Sequence, residues 1–169
     1  MNEEKIYSRL VELEAKLNDY DKRFSQLYTE LQEYKNKEIR TQIFYSGQIF
    51  DSYSFIIDII KSAKHKILLI DNYADSSVLK MLAKKNNNVE VCLVTLPNAH
   101  ISNLDILKFN GQYPTIRIVR TNKFHDRFIL IDNSLLYHCG ASLKDFGKKC
   151  FAINKISDSN FIEFVSNMV

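Results

Sequence analysis

Across residues 1–40 the larger apolar side chains fall at Ile6, Leu10, Leu13, Leu17, Tyr20, Phe24, Leu27, Leu31 and Tyr34, alternately four and three residues apart. No glycine or proline interrupts them. A 3.5-residue repeat held over about four heptads predicts a long helix that meets another helix along a narrow seam, a coiled coil. A helix lying on its own domain drifts toward a 3.6 period and a wider stripe. With Leu10, Leu17, Phe24 and Leu31 at a, the g and e positions of a parallel pair bring Arg9 to Glu14, Lys16 to Asp21 and Glu30 to Lys35 of the second chain. Each exposed pair is worth only a few tenths of a kcal/mol. All three have opposite signs, which favours an in-register parallel homodimer, with the aromatics Tyr20, Phe24 and Tyr34 leaving a tetramer open. Residues 1–40 are therefore read as a dimerisation helix and residues 41–169 as a separate globular unit.

Residues 36–47, ending at Tyr45-Ser46-Gly47, read as a hinge. Beyond it the pattern alternates. Ile49 to Ala63 reads as a helix, and Lys66 to Asp71 as a buried strand. Asp75-Ser76-Ser77 caps a helix running through Lys85. A strand follows at Val89 to Leu96, then a helix at Ile101 to Phe109 and a strand at Thr115 to Val119. Further strands are expected at Phe124 to Asp132, Leu135 to His138 and Cys150 to Ile156, and a last helix follows Asp158-Ser159-Asn160. Strands alternating with helices predict an α/β layered fold with a largely parallel sheet, whose ligands gather at strand carboxyl ends.

Composition narrows the setting. A net charge of +3 permits a polyanionic partner without requiring one. Cys92, Cys139 and Cys150 are odd in number and scattered, which points to free thiols in a reducing cytoplasm and away from a disulfide framework or a zinc site. No apolar run approaches membrane-spanning length, and the charged N-terminus is unlike a signal peptide.

The candidate chemistry lies in Phe124-His125-Asp126-Arg127-Phe128-Ile129-Leu130-Ile131-Asp132 and in Gly140-Ala141-Ser142-Leu143-Lys144. In a strand, residues i and i+2 leave the same face about 7 Å apart, so His125 and Arg127 can reach one phosphate. Asp132 closes the strand, and the return strand carries Gly140 and Ser142 back to the same end. Asp71, Asn72 and Tyr73, at the end of an earlier strand, are candidates to line that site.

His-x-Arg-x-x-x-x-Asp followed by Gly-Ala-Ser resembles the His-x-Lys-x-x-x-x-Asp signature of the phospholipase D superfamily, and the likeness extends over roughly residues 48–156. More narrowly, Gly47 to Asp51, Ile70 to Tyr73, His125 to Phe128 and Gly140 to Lys149 resemble the C-terminal region of bacterial and prophage KilA-N-type DNA-binding proteins. That region follows a DNA-binding domain and a heptad segment, which makes this chain a stand-alone or truncated relative, or a fragment.

The resemblance implies a phospholipase D-like sandwich and a metal-independent phosphodiesterase without cofactors. One motif per chain implies that two chains build a site. His125 would become a phosphohistidine, with the second chain's His125 as general acid and base. Arg127 would clamp the phosphate and Ser142 would donate to it, with Asp132 completing the motif and Gly140 and Lys144 at the substrate. Arginine in place of lysine changes a point charge to a planar fork. Lys144 stands where the family places asparagine, and the strand at Cys150 to Ile156 lacks the glutamate of related nucleases. These departures keep open a module that binds nucleic acid or nucleotide phosphate without turnover, and an oligomerising scaffold. A lipid substrate has no support, because no segment reads as an interfacial helix.

Overall fold

The computed structural model describes residues 3–36 and 41–167, and the side chains of 32–36 lie outside the described residues. The chain divides into two compact units, 1–39 and 40–169. The first is the helix α1 (Glu3–Asn36). Its heptad residues Ile6, Leu10, Leu13, Leu17, Tyr20, Phe24, Leu27 and Leu31 are all exposed, Phe24 to 74%. The Tyr34 side chain lies outside the described residues. Arg9 and Lys16 both reach Glu12, and Arg23 reaches Asp19, in pairs along the helix's own surface.

The second unit runs β1 (Thr41–Phe44), α2 (Ile49–Ser62), β2 (Lys66–Ile70), α3 (Ser76–Leu82), β3 (Glu90–Thr95), α4 (Asn103–Asn110), β4 (Arg117–Arg120), β5 (Arg127–Ile131), β6 (Leu135–Cys139), a 3-10 turn (Leu143–Asp145), β7 (Phe151–Ile156) and α5 (Ser159–Asn167). Two helix starts follow from local chemistry. The Asp75 carboxylate accepts the Ser77 N–H and caps α3, and Ser102 and Asp105 form a capping box on α4. The helix expected to run through Lys85 ends at Leu82, with turns following.

Among the described residues, seven strands form one sheet in the order β1-β7-β6-β5-β2-β3-β4. The expectation of a mostly parallel sheet is corrected. Only β2–β3 and β3–β4 pair parallel, while β2–β5, β5–β6, β6–β7 and β1–β7 are antiparallel. The reason is connection length. Helices cross over between β2, β3 and β4, whereas β5, β6 and β7 follow one another through short links that cannot return a parallel strand. Part of the expected hinge is also corrected, because Thr41–Phe44 form the edge strand β1 on β7, while residues 37–40 lie outside the described residues.

Both faces of the sheet are covered, which explains why the strands read as unbroken apolar runs. Along β5, Ile129 and Ile131 face the core beneath α2, α3 and α4. Phe128 and Leu130 face a second core closed by Val165, Phe161 and Ile162 of α5. Among the described residues no helix is long and apolar enough to cross a membrane.

Candidate functional site

The antiparallel registers decide what meets what. Phe128 pairs with Ile70, so the start of β5 lies beside the end of β2. Arg127 pairs with Cys139, so the same point lies beside the end of β6. Cys139 pairs with Ile153, which adds the start of β7. Asp71–Tyr73, Arg127, Gly140–Ser142 and Phe151 are thereby brought to one end of the sheet, although they come from four separate stretches of sequence.

Asp71 is the centre of this cluster. It is fully buried, and one carboxylate oxygen accepts the Ser142 hydroxyl at 2.8 Å and the Leu143 N–H at 2.9 Å. Its other oxygen accepts the Tyr73 N–H at 3.1 Å. Burial lifts the Asp71 carboxyl above the usual carboxylate range, against the opposing pull of these three donors and the Arg127 charge. The neighbouring Cys139 thiol is pushed up to about 12, first by burial and then by the charge of Asp71, which makes it an inert core thiol.

Arg127 stands over Tyr73, its guanidinium carbon 5.3 Å from the ring centroid. Its Nε is buried without a hydrogen-bond partner among the described residues. Both residues line a cavity of about 410 Å³, together with Gly140, Ala141, Ser142, Asp145, Lys148, Lys149, Cys150 and Phe151. A Cβ at Gly140 would stand 3.1 Å from the Ala152 carbonyl oxygen, a tight contact that favours glycine there. Lys148 is tied to Asp145 at 2.8 Å.

His125 lies on an exposed bend before β5, not inside the strand as expected, because the ladder begins only at Arg127. The preceding Phe124 turns into the second core, and its carbonyl accepts the Asn72 side-chain amide. Asn72 is therefore buried as a brace for the approach to His125, and its amide points to protein. The Ser142 hydroxyl donates to Asp71, which leaves it an acceptor at the cavity wall where a phosphate donor was expected. Lys144 is half-buried, its charge felt at Asp75 on the N-cap of α3, and it does not line the cavity.

Asp132 sits at the opposite end of β5, about 16 Å along the strand from Arg127. There it accepts the N–H groups of Lys64, His65 and Lys66 and takes a positive φ of 49° beside Asn133. Burial opposes its ionisation, but the three donors outweigh it and hold its carboxyl below the usual range. Asp132 thus ties β5 to the start of β2 from a point remote from the cavity. Asp145, Cys150 and Phe151 were not foreseen at the site. Only the β6–β7 register brings them there, and no local pattern encodes that register.

This seven-stranded mixed sheet between helical layers is similar in fold to solved structures, a phospholipase D family member among them. The chain matches no family model, and no curated protein sequence is significantly similar to it. Among solved structures it is similar to Nuc from Salmonella typhimurium, a phospholipase D family member, with a TM-score of 0.54 and 20% identity over 76% of this chain and 90% of that one. It is also similar to NucT from Helicobacter pylori, with a TM-score of 0.53 and 12% identity over 76% of this chain and 91% of that one.

Proposed function

We propose that the chain is a metal-independent, nuclease-like phosphodiesterase that acts as a parallel homodimer, with His125 from each subunit at one shared site. The observation that carries this is Arg127. Its side chain lines an open cavity beside the Gly140–Ser142 turn, has no hydrogen-bond partner at Nε among the described residues, and follows the exposed His125 bend by two residues. A guanidinium so placed fits the non-bridging oxygens of a phosphate. A neutral His125 ring nitrogen attacks phosphorus, and the P–N bond forms as the P–O bond to the leaving group breaks. The protonated His125 of the second subunit gives its proton to that oxygen. Water then attacks phosphorus, loses its proton to the second histidine, and displaces the first.

The homodimer is supported by the exposed stripe of α1. In isolation it leaves a continuous apolar face in water, and the g–e′ charges match a second copy. The order of a heptad helix followed by a phospholipase D-like unit also supports kinship with the C-terminal region of prophage KilA-N-type proteins.

A second reading, a module that binds nucleic acid or nucleotide phosphate without turnover, is favoured by two observations. β7 reads Phe-Ala-Ile-Asn-Lys-Ile, with no carboxylate to orient a histidine. Among the described residues, no hydrogen bond holds the His125 ring.

Hydrolysis of bis-p-nitrophenyl phosphate and of DNA in excess EDTA, comparing wild type with His125→Ala, separates the two. Cleavage that disappears in the variant supports the enzyme. Absent cleavage, with oligonucleotide binding that weakens in Arg127→Ala, supports the module.

A further inference from the structure

We propose that Tyr73 is a stacking platform for an unpaired nucleobase beside the phosphate held by Arg127, which makes single-stranded nucleic acid the ligand class of this site. The proposal rests on the reading of Arg127 as the phosphate clamp.

Tyr73 is 51% exposed although the Arg127 guanidinium stands over its ring, so the ring offers open surface to solvent. The backbone that carries the ring is braced. The Tyr73 N–H is held by Asp71, whose other oxygen is latched to Ser142 and Leu143. Arg127 lines the cavity, and its buried Nε has no hydrogen-bond partner among the described residues. A cavity of about 410 Å³ falls within the range of pockets that take one small ligand. Lys149 is exposed at the cavity mouth, where a neighbouring phosphate of the same strand would lie.

An aromatic ring beside a cationic phosphate clamp is how sequence-tolerant single-strand sites are built, since every base has a π face. In a duplex both faces of each base are already stacked on neighbours, so a duplex cannot offer one to Tyr73. A phospholipid offers a phosphate but no ring, and its acyl chains would pass the lysines at the cavity mouth.

The test measures fluorescence anisotropy of the full chain, with His125→Ala in the background to silence turnover. The probes are a thymidine oligonucleotide, an abasic oligonucleotide of the same length and a duplex. Tyr73→Ala should weaken the thymidine strand by about 5- to 150-fold and the abasic strand, which feels only the loosened Arg127, markedly less. Tyr73→Phe should retain the wild-type preference, because the hydroxyl is not used, and it serves as the folded control. Arg127→Ala should weaken both strands.

Equal losses on the thymidine and abasic strands in Tyr73→Ala would overturn the platform, as would no loss on either. So would duplex binding as tight as single-strand binding, or tighter binding to anionic phospholipid vesicles. If Arg127→Ala leaves the abasic strand unaffected, the phosphate clamp itself fails. If it weakens that strand while Tyr73 has no effect, only the base platform fails.

Discussion

Replacing Asp71 tests whether the site is organised by a single buried carboxylate. In Asp71→Asn the side chain keeps its volume, but one of two acceptor oxygens becomes a donor. The better orientation leaves the amide oxygen facing Ser142 and Leu143, and turns the NH₂ toward the Tyr73 N–H, a donor facing a donor. One buried donor without a partner costs about 1–3 kcal/mol. Asp71→Ala orphans all three donors and opens a small void, for an expected loss of about 3–5 kcal/mol. With a urea m-value of about 2 kcal/mol per molar, a loss of about 2 kcal/mol moves the unfolding midpoint by about 1 M. The assay is urea unfolding of the full chain followed by circular dichroism.

The pH dependence supplies a second reading of the same variant. Burial raises the folded-state value of Asp71 above the unfolded value of about 3.9. The folded state therefore holds this proton more tightly, and wild type loses stability as pH rises from the unfolded value through the folded one. The amide of Asp71→Asn does not titrate, so the gap between wild type and this variant should widen as pH falls from 7 through that window. A midpoint for Asp71→Ala within about 0.5 kcal/mol of wild type refutes the latch. A gap that narrows toward low pH refutes the dominance of burial over the three donors.

Three further outcomes follow from the same geometry. Gly147→Ala should destabilise by about 2–4 kcal/mol or prevent folding, because φ is +75° and a Cβ would lie 2.4 Å from the Ile49 Cα; thermal unfolding gives the loss, and Gly111→Ala, with only ordinary contacts, is the tolerated control. Asp132→Asn should cost about 1–3 kcal/mol at pH 7, and because its folded value is depressed, the stabilisation is complete above the unfolded value and disappears as pH falls through the folded one, so the wild-type and variant urea midpoints should converge at low pH. Removing residues 1–40 should lower the oligomeric state in sedimentation equilibrium and, if the dimer builds the site, abolish cleavage; a truncated chain that remains dimeric assigns association to the globular unit.

Strand and helix positions were legible where the pattern is local. The run Phe128 to Ile131 reads as a buried strand because every residue in it is apolar, and the sheet buries both of its faces. Strand direction was not legible, because a buried run has the same composition whichever way it enters the sheet, and only the short links after β5 force antiparallel pairing. β1 was missed for a related reason: Thr41–Phe44 is short, half polar and paired on one side only, so its identity depends on β7, more than a hundred residues away. At the site, the proximity of Arg127 to Gly140 and Ser142 was legible from one hairpin. The latch of Asp71 to Ser142 and Leu143 spans more than seventy residues and was not, since turn chemistry explains an Asp-Asn pair equally well.

That latch also bears on what an arginine at position 127 offers that a lysine would not. A lysine ammonium is a compact, strongly hydrated point charge, whereas a guanidinium is planar, weakly hydrated and stacks on aromatic rings. Tyr73 lies where the second property is useful, with the Arg127 guanidinium carbon 5.3 Å from its ring centroid. Asp71 supplies negative charge from below without a direct ion pair, because its oxygens are already committed to three donors. Arg127 is thus placed by the ring and by field, and no protein group accepts from its Nε among the described residues. On this reasoning Arg127→Lys keeps the charge and loses the stack. Phosphate binding should then survive more fully for a small ligand such as inorganic phosphate than for an oligonucleotide, and equal losses for both, measured by competition anisotropy, would show that Tyr73 and Arg127 do not act as a unit.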